Sequence, residues 1–121
     1  MTEKPNSKRY DLEDRTLEFA RRIRTFVARL KNTPANMEDG KQLIKSSGSI
    51  GANYIEANEA LSKKDFVMRM KICRKEAKES RYWLRLVDTG GNGKLEQERG
   101  ALENEARELT HIFGSIVTKS K

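Results

Sequence analysis

The sequence predicts an all-α fold, an antiparallel up-down-up-down four-helix bundle, and three observations carry that expectation. Apolar residues recur in four segments at alternating steps of three and four, which gathers side chains on one face of a helix. Short clusters of turn-forming residues separate the segments, so consecutive helices fold back on one another. Of 121 residues, 36% are charged and two are proline, the composition of a helical protein rather than a sandwich or barrel. No stretch reads as a strand. The same alternation favours helices crossing at about +20°.

Residues 1–9 are polar and aperiodic and are expected to form a tail. The bundle domain is expected over 10–118, with a second short tail over 119–121. Asp11 suits the N-cap of the first helix, whose seam is Leu12, Thr16, Phe19, Ile23, Phe26 and Leu30, widened by Ala20 and Val27. Arg15, Arg22 and Arg29 recur every seven residues away from that seam. Thr33 then caps a second helix with Pro34 at its first position.

The second helix carries the stretch around which the chain is organised, Leu43 to Leu61. Its seam is Leu43, Ser47, Ile50, Tyr54, Ala57 and Leu61, flanked by a row of Ile44, Gly48, Gly51 and Ile55 and by a small polar row that includes Asn53 and Glu56. Each glycine inside a helix costs about 1 kcal/mol relative to alanine. Gly48 and Gly51 therefore call for a compensating close approach by a neighbouring helix.

Ser62 with Asp65 three residues on resembles a capping box and opens a third helix near Lys63. The seam there is Phe66, Met70, Cys73, Ala77, Ser80, Leu84 and Val87. Asp88-Thr-Gly-Gly-Asn-Gly93 ends it. A fourth helix runs from about Lys94, with Leu95, Leu102, Ala106, Leu109, Phe113 and Ile116 on its seam and Gly100 weakening its first half.

Several function classes find no support. The chain has one cysteine, Cys73, and one histidine, His111, on different helices, so neither a metal site nor a cofactor is expected. Cys73 falls on a core seam, and no nucleophile lies beside a positioned base; the chain is not expected to be an enzyme. Gly90-Gly91-Asn92-Gly93-Lys94 lacks the preceding strand of a phosphate-binding loop and reads as a turn. No apolar run approaches the roughly 20 residues that span a bilayer. A lone cysteine and a polar N-terminus fit a reducing, cytoplasmic setting.

The positive charge is concentrated. The formal net charge is +7, and between Ser62 and Val87 nine basic residues face three acidic ones. Arg74, Lys78, Arg81 and Arg85 form one stripe, with Lys71 and Lys75 alongside. Such a stripe is either a phosphate-binding ridge or a solvated face whose stems cover the core edge. The arginines at positions 15, 22 and 29 are candidate additions. Tyr82 and Trp83 adjoin the stripe and suit stacking on bases or, for Trp83, burial at a helix or subunit contact. Ile72, Trp83 and Leu86 make an apolar row outside the main seam, which points to self-association. Asn53 and Glu56 read either as a hydrogen-bonded packing group or as solvated side chains.

The run Ser49-Ile50-Gly51-Ala52-Asn53-Tyr54-Ile55-Glu56-Ala57 resembles the signature of the "four helix bundle protein" family. That family includes proteins encoded in intervening sequences of bacterial large-subunit ribosomal RNA genes. Ser62-Lys-Lys-Asp-Phe66, Ile72 to Ser80 and Trp83-Leu84 are also similar to it, so the likeness spans Tyr10 to Thr118. The resemblance implies an antiparallel bundle assembled as a homopentameric ring, with Asn53 and Glu56 in inter-helix or subunit packing. Gly51 stands where many members have proline. The chain is similar, too, to the accessory variability determinants of diversity-generating retroelements, basic pentameric barrels that bind a reverse transcriptase and nucleic acid. The expectation is a non-enzymatic homo-oligomer that binds RNA or DNA without sequence specificity through its basic face. The alternative is a protein-binding scaffold, for example for a reverse transcriptase.

Overall fold

A computed structural model describes residues 7–120, and four helices account for nearly all of them: α1 (Ser7–Ala28), α2 (Pro34–Asn58), α3 (Lys63–Leu86) and α4 (Gly93–Lys119). The helix starts follow local chemistry. Thr33 Oγ1 accepts from the Asn36 N–H at 3.1 Å, Ser62 Oγ from Asp65 N–H at 3.0 Å, and Asn92 Oδ1 from Leu95 N–H at 3.0 Å. Each satisfies a donor that the first turn would otherwise leave unpaired. Gly90 and Gly91 sit at φ of 69° and 76°, a left-handed conformation that glycine adopts without strain. The first helix begins at Ser7, four residues before Asp11, so Asp11 is an interior residue rather than the cap. Residues 1–6 and Lys121 of the expected tails lie outside the described residues.

Every sequential pair of helices runs antiparallel, and the contacts record the register. On α1 and α2, Thr16 lies against Gly51 and Val27 against Gly40. On α2 and α3, Arg69 meets Asn53 and Ser80 meets Ser46. On α3 and α4, Arg81 meets Glu103, while on α1 and α4 Arg15 meets Glu105. The helices close a square, and α2–α3 and α3–α4 pack most extensively.

The seams converge on one core. Phe19, Ile23 and Phe26, Leu43 and Ile50, Met70, Cys73 and Leu84, and Leu102, Leu109 and Phe113 are buried together. Burying such side chains stabilises by about 1.5–3 kcal/mol each, before the entropy of ordering them is counted. Gly51 meets the close approach that its cost required: a Cβ there would lie 2.9 Å from Thr16 Oγ1 and 3.3 Å from Thr16 Cβ. At Gly48 the neighbour is the Arg24 guanidinium at an ordinary 3.6 Å.

Three seam positions depart from expectation, one of them Phe66, which is only half-buried against the core. Leu61 is fully exposed, because α2 ends at Asn58 and the chain turns before the period reaches it. On α4, Val117 takes the buried place and Ile116 is only half-buried.

One anchor escapes the apolar pattern altogether. Buried Asn36 donates through Nδ2 to the carbonyls of Lys31 (3.1 Å) and Asp88 (2.9 Å), and its Oδ1 accepts from the Asp88 N–H at 2.9 Å. It ties the α1–α2 and α3–α4 connections together at one end of the bundle.

Candidate nucleic-acid interface

The basic stripe of α3 borders a groove rather than a free ridge. Steps of four, three and four keep Arg74, Lys78, Arg81 and Arg85 on the α4 side of the α3 seam. There they line a cleft of about 870 Å³ with Tyr82 and with Arg107, Thr110, His111, Gly114, Ser115 and Thr118 of α4. Small residues on α4 let the arginine stems lie down: a Cβ on Gly114 would sit 3.5 Å from Arg74 Cδ. The α4 wall adds two further basic side chains, Arg107 and His111, both exposed. The acid contact is marginal, with Arg81 Nε 4.0 Å from Glu103 Oε1.

Of the two flanking lysines, Lys75 sits 3.7 Å from Glu76, and Lys71 lies outside the groove, bordering a separate depression with Lys63, Lys64 and Ser120. Tyr82 is 57% exposed, its ring edge-on to Trp83 with centroids 5.0 Å apart and planes at 77°. Trp83 is half-buried against the core, so it serves inter-helix packing and braces Tyr82. Ile72 is half-buried and Leu86 half-exposed on the other side of the α3 seam.

The arginines of α1 have a different setting. Arg15 donates from Nε and Nη2 to both oxygens of Glu105 (2.7 and 3.0 Å) and from Nη2 to Glu108 (2.7 Å). These bonds hold its guanidinium proton more tightly than usual, against the opposing effect of burial. Arg22 Nε lies 3.3 Å from Glu98 Oε2. Arg29 is exposed just beyond α1. None of the three joins the α3–α4 groove.

Asn53 lies within the bundle's hydrogen-bonding. Its Oδ1 accepts from Arg69 Nη1 at 2.9 Å, and its Nδ2 donates to the Ser49 carbonyl (2.9 Å) and hydroxyl (3.0 Å), linking α2 to α3. Glu56, four residues on from Ala52, is exposed, and none of the described side-chain contacts engages its carboxylate. Nearby, the buried hydroxyls of Ser46 and Ser80 share a hydrogen bond of 2.9 Å.

Burial pushes the Cys73 thiol up to about 12, and its Sγ donates to the Ile50 carbonyl at 3.5 Å, so it is protonated and inert at neutral pH. Among the described residues, no three His, Cys, Asp or Glu side chains cluster as metal ligands. Among the described residues, no helix is long and apolar enough to cross a membrane.

The α4 half of the groove, Arg107, Thr110 and His111, escaped the sequence reading. The usable signal was that Arg107 and His111 lie one turn apart off the seam. What sequence does not state is which neighbour that flank meets.

Fold and face together define a basic-sided antiparallel four-helix bundle. More particularly, the chain belongs to the 23S rRNA-intervening sequence protein family, whose model matches residues 8–115. This bears out the resemblance carried by Ser49 to Ala57. Among solved structures, it is similar to a protein of unknown function from the S23 ribosomal protein family of Bacteroides thetaiotaomicron VPI-5482. The two share 33% identity over 88% of this chain and 97% of that one, with a TM-score of 0.76. No curated protein matches the chain.

Proposed function

We propose that the protein binds RNA or another nucleic acid, without sequence specificity and without catalysing a reaction, through the α3–α4 groove. The observation that carries this reading is the open cleft lined by four basic residues of α3 and by Arg107 and His111 of α4, with Glu103 making only a 4.0 Å contact to Arg81 Nε. Cations spaced along one line neutralise successive phosphates and release counterions. The sequence carries no base-reading motif, so phosphate contacts lead. Self-association as a ring of five is part of the proposal and rests on the family resemblance; light scattering giving a monomer mass would remove it.

The test is a salt titration of binding to a structured RNA, comparing the natural protein with a variant carrying Gln at Arg74, Lys78, Arg81 and Arg85. At about 0.7–0.9 counterions per phosphate, the variant's slope of log affinity against log salt should fall by roughly three units. An unchanged slope would place binding elsewhere.

A protein partner is the second reading, favoured by the exposed apolar side chains of Ile55, Leu61 and Met68 around the α2–α3 turn. A stoichiometric protein recovered with the bundle after nuclease treatment would support it.

A further inference from the structure

We infer that the α3–α4 groove takes an unpaired strand rather than a duplex, with Tyr82 as the platform on which a base stacks. The inference rests on the cationic-groove reading above and adds the class of nucleic acid. Its first support is shape. The cations line the walls of a cleft between adjacent helices, and neighbouring helix axes lie only about 8–10 Å apart. A duplex meets such a cleft with its convex backbone and touches only the rim, whereas a single strand can lie inside it.

The second support is spacing. Steps of four, three and four residues set the basic residues about 6, 4.5 and 6 Å apart along the α3 axis. This is the scale on which successive phosphates follow one another along a single backbone. The third is Tyr82. It stands one turn from both Lys78 and Arg85 on the same helix surface, so a base on its ring would have its flanking phosphates beside those two cations. The edge-on contact with half-buried Trp83 holds the ring in place while leaving it 57% exposed. A fixed, open aromatic ring loses little entropy on stacking, and in a duplex the bases are already stacked and unavailable.

The experiment measures anisotropy of a dye-labelled oligouridylate, the matching oligothymidylate, and the oligouridylate paired with oligoadenylate. Each is titrated at low salt with the natural protein, Tyr82→Ala and Tyr82→Phe. Both single strands should bind about tenfold more tightly than the duplex. Tyr82→Ala should remove that advantage by weakening single-strand binding far more than duplex binding, and Tyr82→Phe, which keeps the ring, should retain it. Equal or tighter binding of the duplex, or single-strand affinity indifferent to Tyr82→Ala, overturns the strand inference and leaves the cationic groove standing. Loss in Tyr82→Phe as large as in Tyr82→Ala overturns stacking as the cause. No binding of any probe overturns both readings.

Discussion

On its α1 side α4 presents Glu98, Glu105 and Glu108; on its α3 side it presents Arg107, Thr110, His111 and Gly114. Both neighbours bring regularly spaced arginines, yet Arg15 and Arg22 of α1 are taken up in ion pairs within the fold, whereas on the α3 stripe Arg81 reaches Glu103 only at 4.0 Å and Lys78, Arg81 and Arg85 stay exposed. The Arg15 fork onto Glu105 is bidentate, with each side chain partly screened from water, and so lies at the useful end of surface ion pairs. The α3 stems gain packing over small residues without losing their charge. A stripe of arginines is therefore neither a ligand site nor a structural device in itself. The flank it meets decides which it becomes.

The largest test remakes the groove in the image of the α1 seam. Arg107→Glu with His111→Glu puts carboxylates opposite the basic stripe at two exposed positions. Nucleic-acid affinity at low salt should fall about a hundredfold, or about 3 kcal/mol, with the melting temperature nearly unchanged. Retained affinity would break the contrast. A smaller effect should come from the seam itself. Arg15→Gln with Arg22→Gln should lower stability in urea by about 1 kcal/mol, reduced by exposure of the Arg15 side chain (34%). The salt slope of binding should stay where it was. A slope lower by a unit or more would return the α1 arginines to the interface.

The smallest effect concerns Glu76, a carboxylate in the α2–α3 crevice. Burial first, and then Glu79, raises its carboxyl above the ordinary 4.5, outweighing the pull of Lys75 and Lys45. The native state thus holds this proton more tightly than the unfolded chain does. Its stabilising contribution is complete below about 4.5 and is lost as pH rises through the native value. Glu76→Gln should therefore raise the urea midpoint slightly at neutral pH and match the natural protein in acid. A midpoint lowered at neutral pH would mean that the Lys75 pair outweighs desolvation.

The sequence by itself determined the four helices, their turns and most of the core. Periods, caps and glycines act within a few residues, and their chemistry at Thr33, Ser62, Asn92, Gly90 and Gly91 is complete in the local chain. It also located the concentration of charge on the third helix. Where α2 stops before Leu61, local signals were ambiguous, because the apolar period runs on past the end of the helix.

Only the tertiary structure decided which flank meets which. It set Thr16 against Gly51, Asn36 between two distant connections, Arg69 on Asn53, and Arg107 and His111 opposite the α3 stripe. Periodicity states the angle of a side chain around its own helix. The partner at that angle depends on the register and rotation at which whole helices pack, which the summed core sets. That is why Arg15 and Arg74 look alike in sequence and differ in the fold.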